Sequence, residues 1–231
     1  MTERIWSDEQ LAEMSRRTIE KAFDAIEAGE AARARELVQL MYDQFVKLHD
    51  GYMTWIGGLL TFLYREGGVE KVEAAERFAH DVEARLVFFP PERTDFQFMV
   101  ERMASELQGH VLQHMTLEED DEKLVLKVSP CGSGGRLIQM GAYRPEVGLA
   151  RIAEPADITF HTADYPIYCV HCPLFNMNAL DAFGDFTFIN EPPQEDGSYC
   201  RFIFYKDKAR IPEEYYRRLG RLKPQETGKG V

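Results

Sequence analysis

The residues of this chain whose types and spacing point most directly to chemistry are its four cysteines, Cys131, Cys169, Cys172 and Cys200. Cys169-Val170-His171-Cys172 puts two thiols in CxxC spacing with an imidazole between them. From a turn, both sulfurs of such a pair can reach one ion, and thiolate with imidazole suits zinc, with iron as the alternative. No second CxxC or CxxH follows, so the remaining ligands must come from afar, and Cys131 and Cys200 are the candidates. Two other readings stay open. Free cysteine is often a small buried core residue, and a CxxC followed by proline between a strand and a helix can be a redox dithiol with a depressed thiol pKa.

Cys131-Gly132-Ser133-Gly134-Gly135 is the most distinctive local segment. Its three glycines let backbone amides approach a ligand closely. Cys131 at its head is a candidate metal ligand or, activated by a histidine, a nucleophile. The plain alternative is a tight glycine turn with an incidental cysteine. The loop lacks the lysine and hydroxyl of a Walker A loop, which argues against nucleotide binding. His110 and His114, four apart near the end of an expected helix, would share a face and could hold a metal or shuttle a proton. They lack the glutamate of a zincin HExxH motif. His49-Asp50 reads as a helix cap, His161 and Asp164 as candidate supports behind the CxxC, and Glu118 to Glu122 as a solvated acidic loop.

The elements that must position these residues change character along the chain. Ser7 before Asp8, Glu9 and Gln10 predicts a helix N-terminus, with Gly29 at its end. Helices are expected over Ala31–Leu48, over the apolar stretch Tyr52–Tyr64, over Val69–Leu86 after Gly67-Gly68, and from Thr94 to His114. The stretch 52–64 is apolar on both faces, which predicts a central, buried helix. Phe88-Phe89-Pro90-Pro91 breaks the pattern. Period-two runs then predict strands at Leu124–Val128, Leu137–Met140, Ile167–Tyr168, Phe186–Ile189 and Arg201–Tyr205. Short helices follow over Pro173–Phe183 and from Pro212. The expected fold is one α+β domain over 1–231, a helical part (1–116) packed on an antiparallel sheet from the second half. The metal-site part spans 117–220 and a tail 221–231.

The formal net charge of −12 disfavours nucleic acid and anionic membranes as partners. The basic run Arg217, Arg218, Arg221 and Lys223 reads as a solvated helix face. The apolar run 52–64 is shorter than the about 20 residues of a membrane span, and the charged opening MTERIWSDEQ carries no secretory pattern. A cytoplasmic, reducing location is therefore expected, where cysteines serve metal or thiol chemistry more than disulfides. No motif for an organic cofactor is present.

From Tyr168 to Lys206 the chain resembles the C-terminal part of V4R (4-vinyl reductase) domains and of the related L-2-amino-thiazoline-4-carboxylic acid hydrolase-like family. The likeness rests on a cysteine followed by a helix, a strand ending in Glu191, and Asp196-Gly197-Ser198-Tyr199-Cys200-Arg201-Phe202 leading into the last strand. It implies a zinc ion held by Cys169 or Cys172, Glu191 and Cys200, beside a pocket for an aromatic ligand. The family's middle cysteine falls on Gln194 here, and Cys131 or the second CxxC thiol would have to stand in.

Two function classes follow. One is a zinc-dependent enzyme on a small organic molecule, of hydrolase or lyase type. Its ligands would be Cys131, Cys169 and Cys172, with His110 or His114 as proton shuttle and a pocket from Tyr52, Trp55, Phe62, Phe98 and Phe175. The other, which the V4R likeness implies, is a small-molecule sensor domain with structural zinc. A homodimer is compatible with either.

Overall fold

A computed structural model describes residues 5–86, 95–110, 114–193 and 200–224. The fold is α+β: helices dominate the first half, and a four-stranded antiparallel sheet occupies the second. The chain divides into two compact units, Met1–Tyr52 and Met53–Val231.

In the first unit, α1 (Asp8–Ser15) begins as expected. The Gln10 amide donates to Ser7 Oγ at 3.2 Å, and the Ser7 amide donates to Gln10 Oε1 at 2.9 Å, a reciprocal cap of the helix end. The predicted continuous helix to Gly29 is interrupted at Arg16 and Arg17, whose backbones are extended; α2 (Thr18–Glu27) follows. Gly29, at φ +74°, ends it. Among the described residues, Ala22, Ala25, Ala34 and Leu37 form this unit's buried cluster.

The next helix, α3 (Ala31–Leu86), runs through His49-Asp50-Gly51 without the predicted break. A mid-helix glycine costs only about 1 kcal/mol, less than its apolar neighbours gain by staying in register. His49 Nδ1 lies 3.3 Å from Asp50 Oδ1 within the helix, so this pair is not a cap. The interruption falls at Gly67 (φ −160°, ψ 18°) and Gly68 (φ 67°, ψ −162°). The Phe88–Pro91 break lies outside the described residues.

In the second unit, α4 (Phe96–Gln108) starts at Asp95, whose side chain accepts from the Phe98 amide at 3.0 Å. The sheet has the order β1-β2-β6-β5, made of β1 (His114–Glu119), β2 (Lys123–Ser129), β5 (Ile189–Glu191) and β6 (Cys200–Tyr205). Leu124, Leu126 and Val128 of β2 are buried while their neighbours are half-exposed, the alternation its sequence predicts. Those three side chains, with Phe204, pack on Val100 and Leu107 of α4. A second core joins Leu60 and Val72 of α3 to Ile189, Ile203, Leu174 and Tyr216.

Several local expectations are corrected. Glu118 and Glu119 belong to β1, so the acidic loop is only the turn after it. Leu137–Met140 is helical, within and just after α5 (Gly134–Gln139). The Arg136 amide bonding the Cys131 carbonyl at 2.9 Å and the Leu137 amide bonding the Ser133 carbonyl at 3.1 Å wind the chain before a strand can form. A two-stranded ladder pairs β3 (Arg151–Ile152) with β4 (Tyr165–Pro166). Ile167–Val170 is then a 3-10 turn rather than a strand, feeding α6 (His171–Phe183). The last helix, α7 (Glu213–Arg217), follows Pro212 as predicted.

Of the basic run near the end, Arg217 is exposed as expected, whereas Arg218 and Lys223 are built into the fold. The Arg218 guanidinium stacks over Phe160 and Tyr215, at 4.3 and 4.6 Å from the ring centres, and donates to the Asn190 carbonyl. Lys223 donates to the carbonyls of Ala209 and Ile211. The tail from 225 lies outside the described residues.

Candidate functional site

The second unit brings all four cysteines into one neighbourhood from three separate stretches of chain. Cys131 stands at the exit of β2. Cys200 opens β6, where it pairs with Val128, three residues before Cys131. Cys169 and Cys172 lie at the junction of the 3-10 turn and α6. A Cβ added to Gly134 would sit 2.5 Å from Cys169 Sγ, so the glycine loop touches the CxxC segment only because that position has no side chain.

The thiols group as pairs. Cys131 and Cys200 share a hydrogen bond that holds Cys131 well below the ordinary thiol range and pushes Cys200 up. Burial opposes the Cys131 charge, and the Ser133 and Gly135 amides of the glycine loop stabilise it further. Cys169 is pushed up by burial, then by the negative charges of Cys172 and Cys131. Burial works against a charge on His171, yet the Cys172 charge and hydrogen bond carry it up to about 10. Its Nδ1 donates to the Tyr168 carbonyl at 2.7 Å, which leaves Nε2 facing Cys172 Sγ at 3.6 Å. A carbonyl on one ring nitrogen is how a histidine is oriented to offer the other to a partner.

The remaining candidates divide. His110 reaches the site: its Nε2 lies 2.8 Å from Ser133 Oγ in the glycine loop. His114 does not share a helix face with it. Gly109 caps α4, His110 lies in a bend, and His114 is the exposed first residue of β1. Glu191 is committed elsewhere, accepting from Arg201 Nη1 at 2.9 Å and from the Tyr215 hydroxyl at 3.2 Å. His161 pairs with Asp157 at 3.1 Å and Asp164 with Arg151 at 3.4 Å, so neither supports the CxxC. Gln194 lies outside the described residues. Of the expected pocket aromatics, Tyr52, Trp55 and Phe62 are exposed and Phe98 is half-buried. Phe175 alone stands by the site, 5.9 Å ring to ring from His171.

Two residues that the sequence reading passed over complete the neighbourhood. Glu76 and His80 of α3 are nearly buried, 3.9 Å apart. His80 meets Phe175 edge-on at 4.4 Å between ring centres. Burial raises the Glu76 carboxyl against the pull of His171, and burial followed by repulsion from His171 brings His80 down to about 4. Their signal was the spacing Val72, Glu76, His80, one step of four after another along a buried stripe.

His80 gives a pH prediction with a definite sign. Its folded pKa is depressed, so the stability tied to its neutral form is full above the ordinary value of 6.5 and is lost as pH falls toward 4. Urea unfolding of the wild-type chain should lose on the order of 2–3 kcal/mol across that window relative to His80→Gln. Parallel stability curves for the two proteins would show that His80 is not held neutral.

Among the described residues, no group of three or more His, Cys, Asp or Glu side chains stands arranged to hold a metal ion, and no helix is long and apolar enough to cross a membrane. A cavity of about 200 Å³ between α4 and the sheet, lined by Phe96, Met99, Phe188, Ile203 and Phe204 among others, includes none of the thiols. No protein-family model, curated protein or solved structure matches the chain.

Proposed function

We propose that Cys131, Cys169 and Cys172 hold a zinc ion with a fourth position left open, and that the chain is a zinc-dependent enzyme of hydrolase or lyase type acting on a small organic molecule. The gathering of four thiols from three chain segments carries this reading. Burial drives Cys169, and the hydrogen bond to Cys131 drives Cys200, toward the neutral thiol, and the charges of the neighbouring thiols add to both. A divalent cation removes that conflict, and soft sulfur donors select zinc, or iron as the alternative. The amides of Ser133 and Gly135 already stabilise a thiolate at Cys131, the form in which cysteine binds metal.

Bound zinc would supply a Lewis acid and an activated water. The chain's own contribution would be two acid–base groups beside it, a carboxyl at Glu76 raised by burial and an imidazole at His80 kept neutral by burial. Elemental analysis of protein purified without added metal should return about one zinc per chain. Zinc and iron both near zero would overturn the proposal.

A second reading has its own support. The aromatic cavity between α4 and the sheet is separate from the thiols, as in a V4R-like module whose zinc is structural and whose ligand sits in an apolar pocket. X-ray absorption of the zinc separates the two. Four sulfur or nitrogen donors with no oxygen favour the structural role, and three with a water favour catalysis.

A further inference from the structure

The thiols divide between two cores of the second unit. Cys131 and Cys200 pack against the cluster that Leu126, Val128 and Phe204 form with α4. Cys169 and Cys172 pack against the cluster that includes Leu174, Ile189 and Ile203. The proposed zinc set takes Cys131, Cys169 and Cys172, and leaves Cys200 beside them without a role. We propose that Cys131 and Cys200 are a modification site: a hydroperoxide joins them in a disulfide, which withdraws Cys131 from the metal, and a thiol reductant restores both. The pairing stands on its own geometry, and only its consequence for the metal rests on the zinc proposal.

Three observations single out the pair. In the sheet β2 neighbours β6, and Cys200 stands opposite Val128, so the ladder fixes Cys200 beside the exit of β2. Cys131 lies just past that exit, and the two thiols share a hydrogen bond, with Cys200 donating. Second, β2 ends at Ser129, and Cys131 heads a loop that holds Gly132, Gly134 and Gly135. Closing hydrogen-bonded sulfurs to the about 2.05 Å of an S–S bond therefore moves a glycine-rich loop and leaves the ladder intact. Third, both thiols are half-buried rather than sealed, within reach of a small peroxide. The CxxC thiols are engaged otherwise: Cys172 Sγ faces His171 Nε2 at 3.6 Å, and Cys169 Sγ lies against Gly134.

The Cys131 sulfur, which also accepts from the Ser133 and Gly135 amides, attacks one oxygen of hydrogen peroxide. The O–O bond breaks, and the departing hydroxide takes the proton given up by Cys131 and leaves as water. Cys131 is then a sulfenic acid. The Cys200 sulfur attacks the Cys131 sulfur, the S–O bond breaks, and hydroxide leaves as water with the Cys200 proton. Two thiols are oxidised by two electrons, and one peroxide is reduced to two waters. The thiolate is the form that binds metal, so the crosslinked Cys131 no longer serves as a ligand.

The full wild-type chain, zinc-loaded and treated with hydrogen peroxide, should lose two hydrogens in intact mass. Peptide mapping should find a crosslink between Cys131 and Cys200, with zinc released in step and the crosslink undone by dithiothreitol. Cys200→Ser should form no crosslink and should hold Cys131 as a sulfenic acid that dimedone traps. Metal-free wild-type chain should form the same crosslink, so a chain that carries no zinc sinks the zinc proposal and leaves the pairing standing. A crosslink between Cys169 and Cys172 in place of this one overturns the inference. So does Cys131 oxidised beyond the sulfenic acid while Cys200 stays a free thiol, and so does a crosslinked chain that keeps its zinc.

Discussion

Asn176→Ala should lower the stability of the chain by about 3–4 kcal/mol, the largest loss expected from any single polar side chain here. Asn176 is buried in the middle of α6. Its Nδ2 donates to the Phe188 carbonyl at 2.9 Å, and its Oδ1 accepts from the Asn190 amide at 2.9 Å. One side chain thus satisfies two backbone groups at the entry to β5. Removing it strands a buried donor and a buried acceptor, each costing about 1–3 kcal/mol, in addition to the cavity left behind. The latch also bears on the thiols, because Asn190 Nδ2 reaches the Cys172 carbonyl at 3.4 Å and couples β5 to the first turn of α6. Urea unfolding monitored by circular dichroism gives the number. A loss under about 1 kcal/mol would mean that β5 finds other partners and that the latch is dispensable.

Cys131→Ser should abolish zinc retention on the proposed reading, taking the metal from about one per chain to less than a tenth through extensive dialysis. Serine is isosteric, but its hydroxyl does not ionise as a thiol does, so the site loses its most acidic donor and the amides of Ser133 and Gly135 lose the charge they stabilise. Metal affinity is folding free energy in such sites, so thermal stability should fall with it by several kcal/mol. The same substitution in metal-free protein should cost roughly 1 kcal/mol, the worth of an ordinary hydrogen bond to Cys200. Equal losses with and without zinc, together with full zinc retention, would remove Cys131 from the ligand set.

How far the sequence spoke for itself varied with how local the controlling physics was. Ser7 and Asp95 announce helix starts, and the β2 alternation shows directly in its burial. The convergence of Cys131 on Cys200 depended on β2 pairing with β6 across a long intervening stretch, which the period-two pattern allowed but did not specify. Leu137–Met140 misled because four residues are too few to separate a period of two from one of 3.6, and the hydrogen bonds from the Arg136 and Leu137 amides to the Cys131 and Ser133 carbonyls decided the matter. The apolar stretch 52–64 was legible as two-faced, yet only one of its faces meets the chain's own core. Glu76 and His80 were visible only as a continuation of the Val72 stripe, since the break at Gly67-Gly68 hid which way that stripe turns.

That break has a rotational meaning. At about 100° per residue, twelve residues of unbroken helix would set Leu60 and Val72 roughly a third of a turn out of phase, yet both are sealed in the same interior. The glycine pair acts as a torsional offset that brings the later turns back into alignment, using at Gly68 a backbone state closed to larger residues. Orientation of the carboxyl and imidazole further along is therefore inherited from a joint that has no side chain of its own.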